Sequence, residues 1–331
     1  MKTFPIFTAV LALAALMTHA AEPIDPEMVD YPYPYAVQFL PLTVQQQTVQ
    51  MAYMDVAGPT ADARAVLLLH GKNFPASYWG PVMEDLSKAG FRVIAPDQIG
   101  FGKSSKPETL QYSFQLLAEN SRKLLKHLKV DKVTVVGHSM GGMLATRFAL
   151  MYPERTEGLV LENPIGLEDW KTVVPYQGVD AWYQSELKKS EAGIRAYQRE
   201  SYYHGEWKEA YEPWVEVLYR WTLHPEYPRV AWNAALTYDM IFTQPVVYEF
   251  PNVQADTLLI IGQLDKTALG KDRAPEAVRG SLGNYVELGQ RAGAAIPSAK
   301  LVALEGVGHM PHVEAYPRFW EALIAFLNRE Q

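Results

Sequence analysis

A chain of 331 residues with a net charge of −7, 48% hydrophobic and 20% charged residues, has the make-up of a folded globular protein rather than a disordered one. That length suffices for one large α/β domain with an insertion, or for two ordinary domains. The absence of cysteine excludes a thiol nucleophile and any thiolate metal site, and a mild acidity without Lys/Arg runs argues against nucleic acid as a partner.

Residues 1–20 read as a signal peptide. Lys2 supplies the positive charge, Ile6 to Met17 is almost wholly apolar, and Thr18-His19-Ala20 before Ala21-Glu22 predicts cleavage after Ala20. The apolar run is too short for a comfortable transmembrane span. The expected location is therefore periplasmic or secreted, without stable membrane insertion after cleavage. Residues 21–45 carry Pro23, Pro26, Pro32, Pro34 and Pro41 and are expected to form an extended arm, with Tyr31, Tyr33 and Tyr35 packing down as anchors. Val44 to Val56 alternates loosely, as one or two antiparallel edge strands do.

From residue 46 to 164, and again from 252 to 331, apolar runs alternate with amphipathic stretches, which predicts an α/β core with a mostly parallel sheet. Ala65-Val66-Leu67-Leu68-Leu69 is continuously apolar, as a strand buried on both faces requires. It runs into His70-Gly71-Lys72-Asn73. A helix from about Trp79 to Lys88, a strand at Phe91–Ala95 and an amphipathic helix from Ser113 to Leu128 follow. Then comes Val133-Thr134-Val135-Val136-Gly137-His138-Ser139-Met140-Gly141-Gly142, a β-branched run ending in Gly-x-Ser-x-Gly with a helical pattern directly after it. Strand, tight turn and helix place Ser139 at the apex of a nucleophile elbow, with Gly137 and Gly141 beside it because a Cβ there would collide across the bend. Further strands are expected at Leu159–Glu162, Leu258–Gly262 and Leu301–Leu304, with a closing helix from about Tyr316 to Asn328. Between residues 165 and 251 the strand rhythm stops. That stretch holds six of the eight Trp and ten of the nineteen Tyr, and it reads as a helical cap inserted into the core.

A serine hydroxyl needs a base within hydrogen-bond reach, itself oriented by a third group. His309, in Gly306-Val307-Gly308-His309-Met310-Pro311, follows the last strand and emerges at the same carboxyl edge as Ser139. His312 is expected to support it rather than replace it. Behind an elbow of this kind the acid precedes the base in the chain, and Asp265 leaves the strand end at Gly262-Gln263-Leu264 directly. Glu162, at the preceding strand end, is the competing acid. The oxyanion of a tetrahedral intermediate needs donors aimed at it: the backbone N–H groups of Met140 and Lys72 are the candidates. His70 is expected to brace that loop; the Lys72 ammonium could attract an anionic substrate, but a solvated loop lysine is the favoured expectation. No metal or organic cofactor is implied.

Together His70-Gly71, Asp97-x-x-Gly100-x-Gly102-x-Ser104, Gly137-His138-Ser139-Met140-Gly141-Gly142 and Gly308-His309-x-Pro311-His312-x-Glu314 resemble the α/β-hydrolase fold, in its capped group of epoxide hydrolases, haloalkane dehalogenases, C–C bond hydrolases and esterases. Three departures stand out. Epoxide hydrolases and dehalogenases of that group use an Asp nucleophile where this chain has Ser139, which counts against both activities. Lys72-Asn73 replaces the aromatic-Pro pair common in that loop. The stretch between Asp265 and His309 looks long and is expected to add a helix from Pro275 to Ala295. The resulting expectation is an exported serine hydrolase acting on a small-to-medium ester with an apolar part. The alternatives are C–C bond hydrolysis, amide hydrolysis or cofactor-free perhydrolysis on the same residues, or a binding protein of the same fold without turnover.

Overall fold

The computed structural model describes residues 21–329; the expected signal peptide at 1–20 lies outside the described residues. Its strands are β1 (Val37–Val44), β2 (Gln47–Val56), β3 (Ala65–Leu69), β4 (Arg92–Pro96), β5 (Val133–His138), β6 (Thr156–Glu162), β7 (Thr257–Gly262) and β8 (Ala299–Leu304). They form one sheet in the order β1-β2-β4-β3-β5-β6-β7-β8. β1 and β2 make a hairpin, β2 meets β4 antiparallel, and every other pairing is parallel. The expected extended arm therefore ends before residue 37 rather than at 45. The reason is period-two burial: Leu40, Leu42 and Val44 face the core while their neighbours are exposed. Pro41 is tolerated because β1 is an edge strand, where a missing N–H costs no ladder bond.

The helices are α1 (Gly80–Lys88), α2 (Phe114–His127) and α3 (Met140–Met151); then α4 (Val179–Glu186), α5 (Glu191–Tyr197), α6 (Glu212–Thr222) and α7 (Tyr227–Thr243), all between β6 and β7; then α8 (Glu276–Arg279), α9 (Tyr285–Ala295), α10 (Pro311–Glu314) and α11 (Tyr316–Leu327). The helix expected over Pro275 to Ala295 is thus two helices. Residues 280–283 form a turn between them, in which Gly283 takes a φ of +72°. Strand parity sorts the core into two layers. Leu67, Leu69, Val135, Leu161 and Leu259 pack with α2, α3 and α9, whereas Val66, Leu68, Val136, Val160 and Ile260 pack with α1 and α11.

The four helices between β6 and β7 have a small core of their own, built from Ile194, Val215, Leu218, Trp221, Tyr227 and Val230. The arm completes it. Ile24 and Met28 are buried there, the Ile24 N–H donates to Arg220 O (3.0 Å), and Trp221 Nε1 donates to Asp25 O (3.1 Å). Farther along the arm, the Tyr33 hydroxyl donates to Asp97 Oδ2 at 2.6 Å. The same carboxylate receives the N–H groups of Ala76 (2.7 Å) and Lys103 (2.8 Å), tying arm, β4 loop and the start of α1 together. Replacing Asp97 by Ala orphans three donors in a buried site and should lower folding stability by about 2–4 kcal/mol. A chemical-denaturation midpoint checks this; a midpoint equal to wild type would mean that water takes over the carboxylate's place.

Candidate active site

Ser139 follows β5 and precedes α3 with φ 58° and ψ −121°, a conformation that L-residues rarely adopt. Three backbone hydrogen bonds hold it: Ser139 N–H to Glu162 O (3.1 Å), and the N–H groups of Gly142 (2.9 Å) and Ile165 (3.2 Å) to Ser139 O. A Cβ on Gly137 would lie 2.1 Å from Gly141 O, straight across the bend. A Cβ on Gly141 would instead lie 2.1 Å from Leu69 O, so that glycine lets α3 start against β3.

Asp265 and His309 come together at the carboxyl edge. His309 Nδ1–H donates to Asp265 Oδ2 at 2.6 Å, with both side chains fully buried. Asp265 is held in turn by Asn163 Nδ2 (2.9 Å) on Oδ2 and the Thr267 N–H (2.8 Å) on Oδ1. Because Nδ1 carries the proton given to the carboxylate, Nε2 is left as the free ring nitrogen, and it has no hydrogen-bond partner among the described residues. No hydrogen bond joins it to the Ser139 hydroxyl either; such contacts are often long without substrate. Glu162, the competing acid, is placed elsewhere. It shares strand parity with Val160, so it points to the α11 side, where its Oε1 accepts from both Nδ1 and the backbone N–H of His312 (2.8 Å each).

Gly71 sits against the elbow: a Cβ built there would come within 3.1 Å of the Ser139 Cβ. Among the described residues, neither the Lys72 nor the Met140 backbone N–H has a protein acceptor. The Lys72 side chain is less solvated than expected, being partly buried. Its ammonium lies over the Tyr238 ring, 3.4 Å from the centroid, and burial pushes it down to about 7. The reason is the α4–α7 layer, which folds over the loop and leaves the side chain only partly accessible.

The profile of the family described as "alpha/beta hydrolase fold" matches residues 64–316. The chain belongs to the α/β-hydrolase fold family. The crystal structure of a probable hydrolytic enzyme from Pseudomonas aeruginosa is 50% identical, with a TM-score of 0.91, over 93% of this chain and 99% of that one. A haloalkane dehalogenase of Mycolicibacterium paratuberculosis is 33% identical over 40% of this chain and 44% of its own length. A 2-hydroxy-6-oxo-2,4-heptadienoate hydrolase of Pseudomonas putida is 36% identical over 31% of this chain and 38% of its own. The chain thus spans less than half the length of these curated relatives.

Within this α/β-hydrolase scaffold several positioning residues escape a reading of the sequence. Asn163, at φ 35°, straps β7 to the Asp265 loop: its Oδ1 accepts from the Gly262 N–H (2.7 Å) while Nδ2 serves Asp265. Glu314 clamps the loop on both sides of His309, accepting from the N–H groups of Gly308 and Met310 at 2.9 Å. Tyr202 stacks on His309 (centroids 4.5 Å apart), and its carbonyl accepts the His309 N–H (2.8 Å). His70 does brace its loop, with Nδ1–H to Gly71 O (2.9 Å) and Nε2 accepting from the Gln98 N–H (3.0 Å). His138 links two loops. Its Nε2–H donates to His309 O (2.8 Å), so Nδ1 must accept, and it does so from the Tyr78 hydroxyl (3.1 Å), which itself accepts the Gly71 N–H (3.0 Å). Burial, then the neighbouring His309 and His312, hold the His138 ring well below the usual histidine range, so it stays neutral in this tautomer. Replacing Tyr78 by Phe removes the middle of this chain and leaves a buried donor and acceptor unpaired. The expected loss is about 1–3 kcal/mol, read as a lower thermal midpoint; an unchanged midpoint refutes the bridging role.

Proposed function

We propose that this chain is an exported serine hydrolase that cleaves a small-to-medium carboxylic ester through an acyl-enzyme on Ser139. The observation that carries the reading is the His309 ring, held on Nδ1 by Asp265, with an Nε2 that has no partner among the described residues, at the edge where the elbow presents Ser139. In this reading Ser139 Oγ attacks the ester carbonyl as its proton passes to His309 Nε2, and the imidazolium is stabilised by Asp265. The carbonyl electron pair collects on oxygen, facing the N–H groups of Met140 and Lys72. Collapse expels the alcohol with the proton from His309. A water molecule, deprotonated by the same nitrogen, then releases the carboxylic acid and restores Ser139. The apolar part of the ester would lie against the aromatic side chains of the α4–α7 layer, Tyr202 and Tyr238 among them. Export rests on residues 1–20; among the described residues no helix is long and apolar enough to cross a membrane.

A second reading, C–C bond cleavage of a diketone by the same residues, is favoured by the matched stretch of the Pseudomonas putida hydrolase. Rates on p-nitrophenyl esters and on a vinylogous diketone separate the two. Ser139→Ala should reduce ester turnover by about 10⁴-fold or more while circular dichroism and melting stay as in wild type. A fluorophosphonate probe should label Ser139 in the folded wild type, and absence of any adduct sinks the reading. Asp265→Asn should also lose about 10³–10⁴-fold in kcat, because an amide permits the wrong imidazole tautomer; retained activity would hand the acid's role to another group.

A further inference from the structure

The Lys72 side chain lines a narrow cavity of about 30 Å³ together with Asn73, Glu186, Lys189, Trp221 and Tyr227. The cavity borders the site directly. Lys72 follows Gly71, which abuts Ser139, and Asn73 Nδ2 donates to the Tyr202 hydroxyl (2.7 Å), whose ring covers His309. A larger cavity of about 300 Å³ shares Asn73 and Lys189 with it and reaches the exposed Lys188 and Ser190, which makes it a route from solvent.

Charge in this enclosure does not balance. Glu186, itself buried, is committed to Lys189, 2.8 Å from its Oε2. Despite burial, which opposes ionisation, Lys189 and Lys72 keep the Glu186 carboxyl below its ordinary value. Among the described residues the Lys72 ammonium makes no hydrogen bond and no salt bridge; its one polar contact is the Tyr238 π-face. Two ammonium groups therefore face one carboxylate. Buried charges are normally paired, and the pairing is worth most where water is excluded.

We propose that Lys72, with Lys189 behind it, receives a carboxylate carried by the substrate, so that the enzyme acts on mono-anionic esters in preference to neutral ones. This inference rests on Ser139 being the nucleophile. A single negative charge matches the excess of one, and the cavity is narrow, which favours a carboxylate over a dianionic phosphate. A charge-assisted N–H···O bond to the Lys72 ammonium would fix the substrate through the same residue whose backbone N–H is a proposed oxyanion donor. The pH dependence follows in sign. Lys72 is charged below about 7 and loses its proton above, so the preference for anions is present at low pH and fades as pH rises. The other groups facing this enclosure are Glu186 and Lys189 from α4 and its end, Tyr197 from α5, and Tyr227 and Tyr238 from α7. All three phenols are raised by burial and stay neutral over that range.

The test uses two fluorophosphonate probes with alkyl chains of equal length, one ending in a carboxylate and one in a methyl group, at several lengths. Second-order labelling rates of the full-length wild type should favour the carboxylate probe by tenfold or more at one length. That ratio should fall by about tenfold between pH 6 and pH 8, by at least tenfold in Lys72→Met, and by a smaller factor in Lys189→Met, with Lys72→Arg recovering part of it. Labelling by both probes with a ratio near one in wild type, or a ratio that neither methionine variant moves, overturns the carboxylate site. Labelling by neither probe overturns the Ser139 reading instead.

Discussion

Everything at the carboxyl edge depends on one backbone reversal. Within a single residue the chain turns from the central strand into a helix, and Ser139 takes up the strain at φ 58°. The reversal closes only because two backbones can touch: at Gly137 the bend meets Gly141, and at Gly141 the helix meets β3. Three hydrogen bonds from β6, α3 and the loop beyond β6 then hold the serine in place. The strain is local and of order 1–3 kcal/mol, small beside the burial of the strands that enforce it.

Below the elbow, strand parity builds a second structure. Residues of one parity on β5 and β6 face α1 and α11, and there the side chains of His138 and Glu162 meet Tyr78 and His312. Their side chains make no hydrogen bond to the side chains of Asp265 and His309; they tie together the loops that carry that pair. Tyr78 joins His138 to the Gly71 loop, and His138 joins the same chain to the carbonyl of His309. A neutral imidazole suits this task because it donates from one nitrogen and accepts at the other. Glu314 and Asn163 act likewise on the two neighbouring loops, so the positions of Asp265 and His309 are over-determined by hydrogen bonds.

How much of this is legible in the sequence varies with the range of the interaction. Strand β3 runs over Ala65–Leu69 as its apolar run predicts, and α2 begins at the Ser113 cap and ends within a residue of the expectation. Both are set by neighbours in the chain. The β1–β2 hairpin was harder to see, because its turn is Gln45-Gln46, both at positive φ, where Asn-Gly is the usual signal. Gln45 holds that turn by two hydrogen bonds to the backbone of Gln111, a partner 66 residues away. The split between α8 and α9 was invisible for a similar reason: glycines at 280 and 283 interrupt a helical pattern without saying which of them turns left-handed.

Composition, period and motif by themselves determined the α/β class, the place of the elbow and which residue types gather at the strand ends, since each follows from local stereochemistry and burial. Tertiary structure alone decided the pairings. Asp265 and Glu162 both stand at or just beyond strand ends with a carboxylate, and only the folded loops bring one to His309 and the other to His312. Lys72 reads in the sequence as an exposed loop residue. It becomes an enclosed cation because helices more than a hundred residues later in the chain close over it, and desolvation by distant segments leaves no mark on the local pattern.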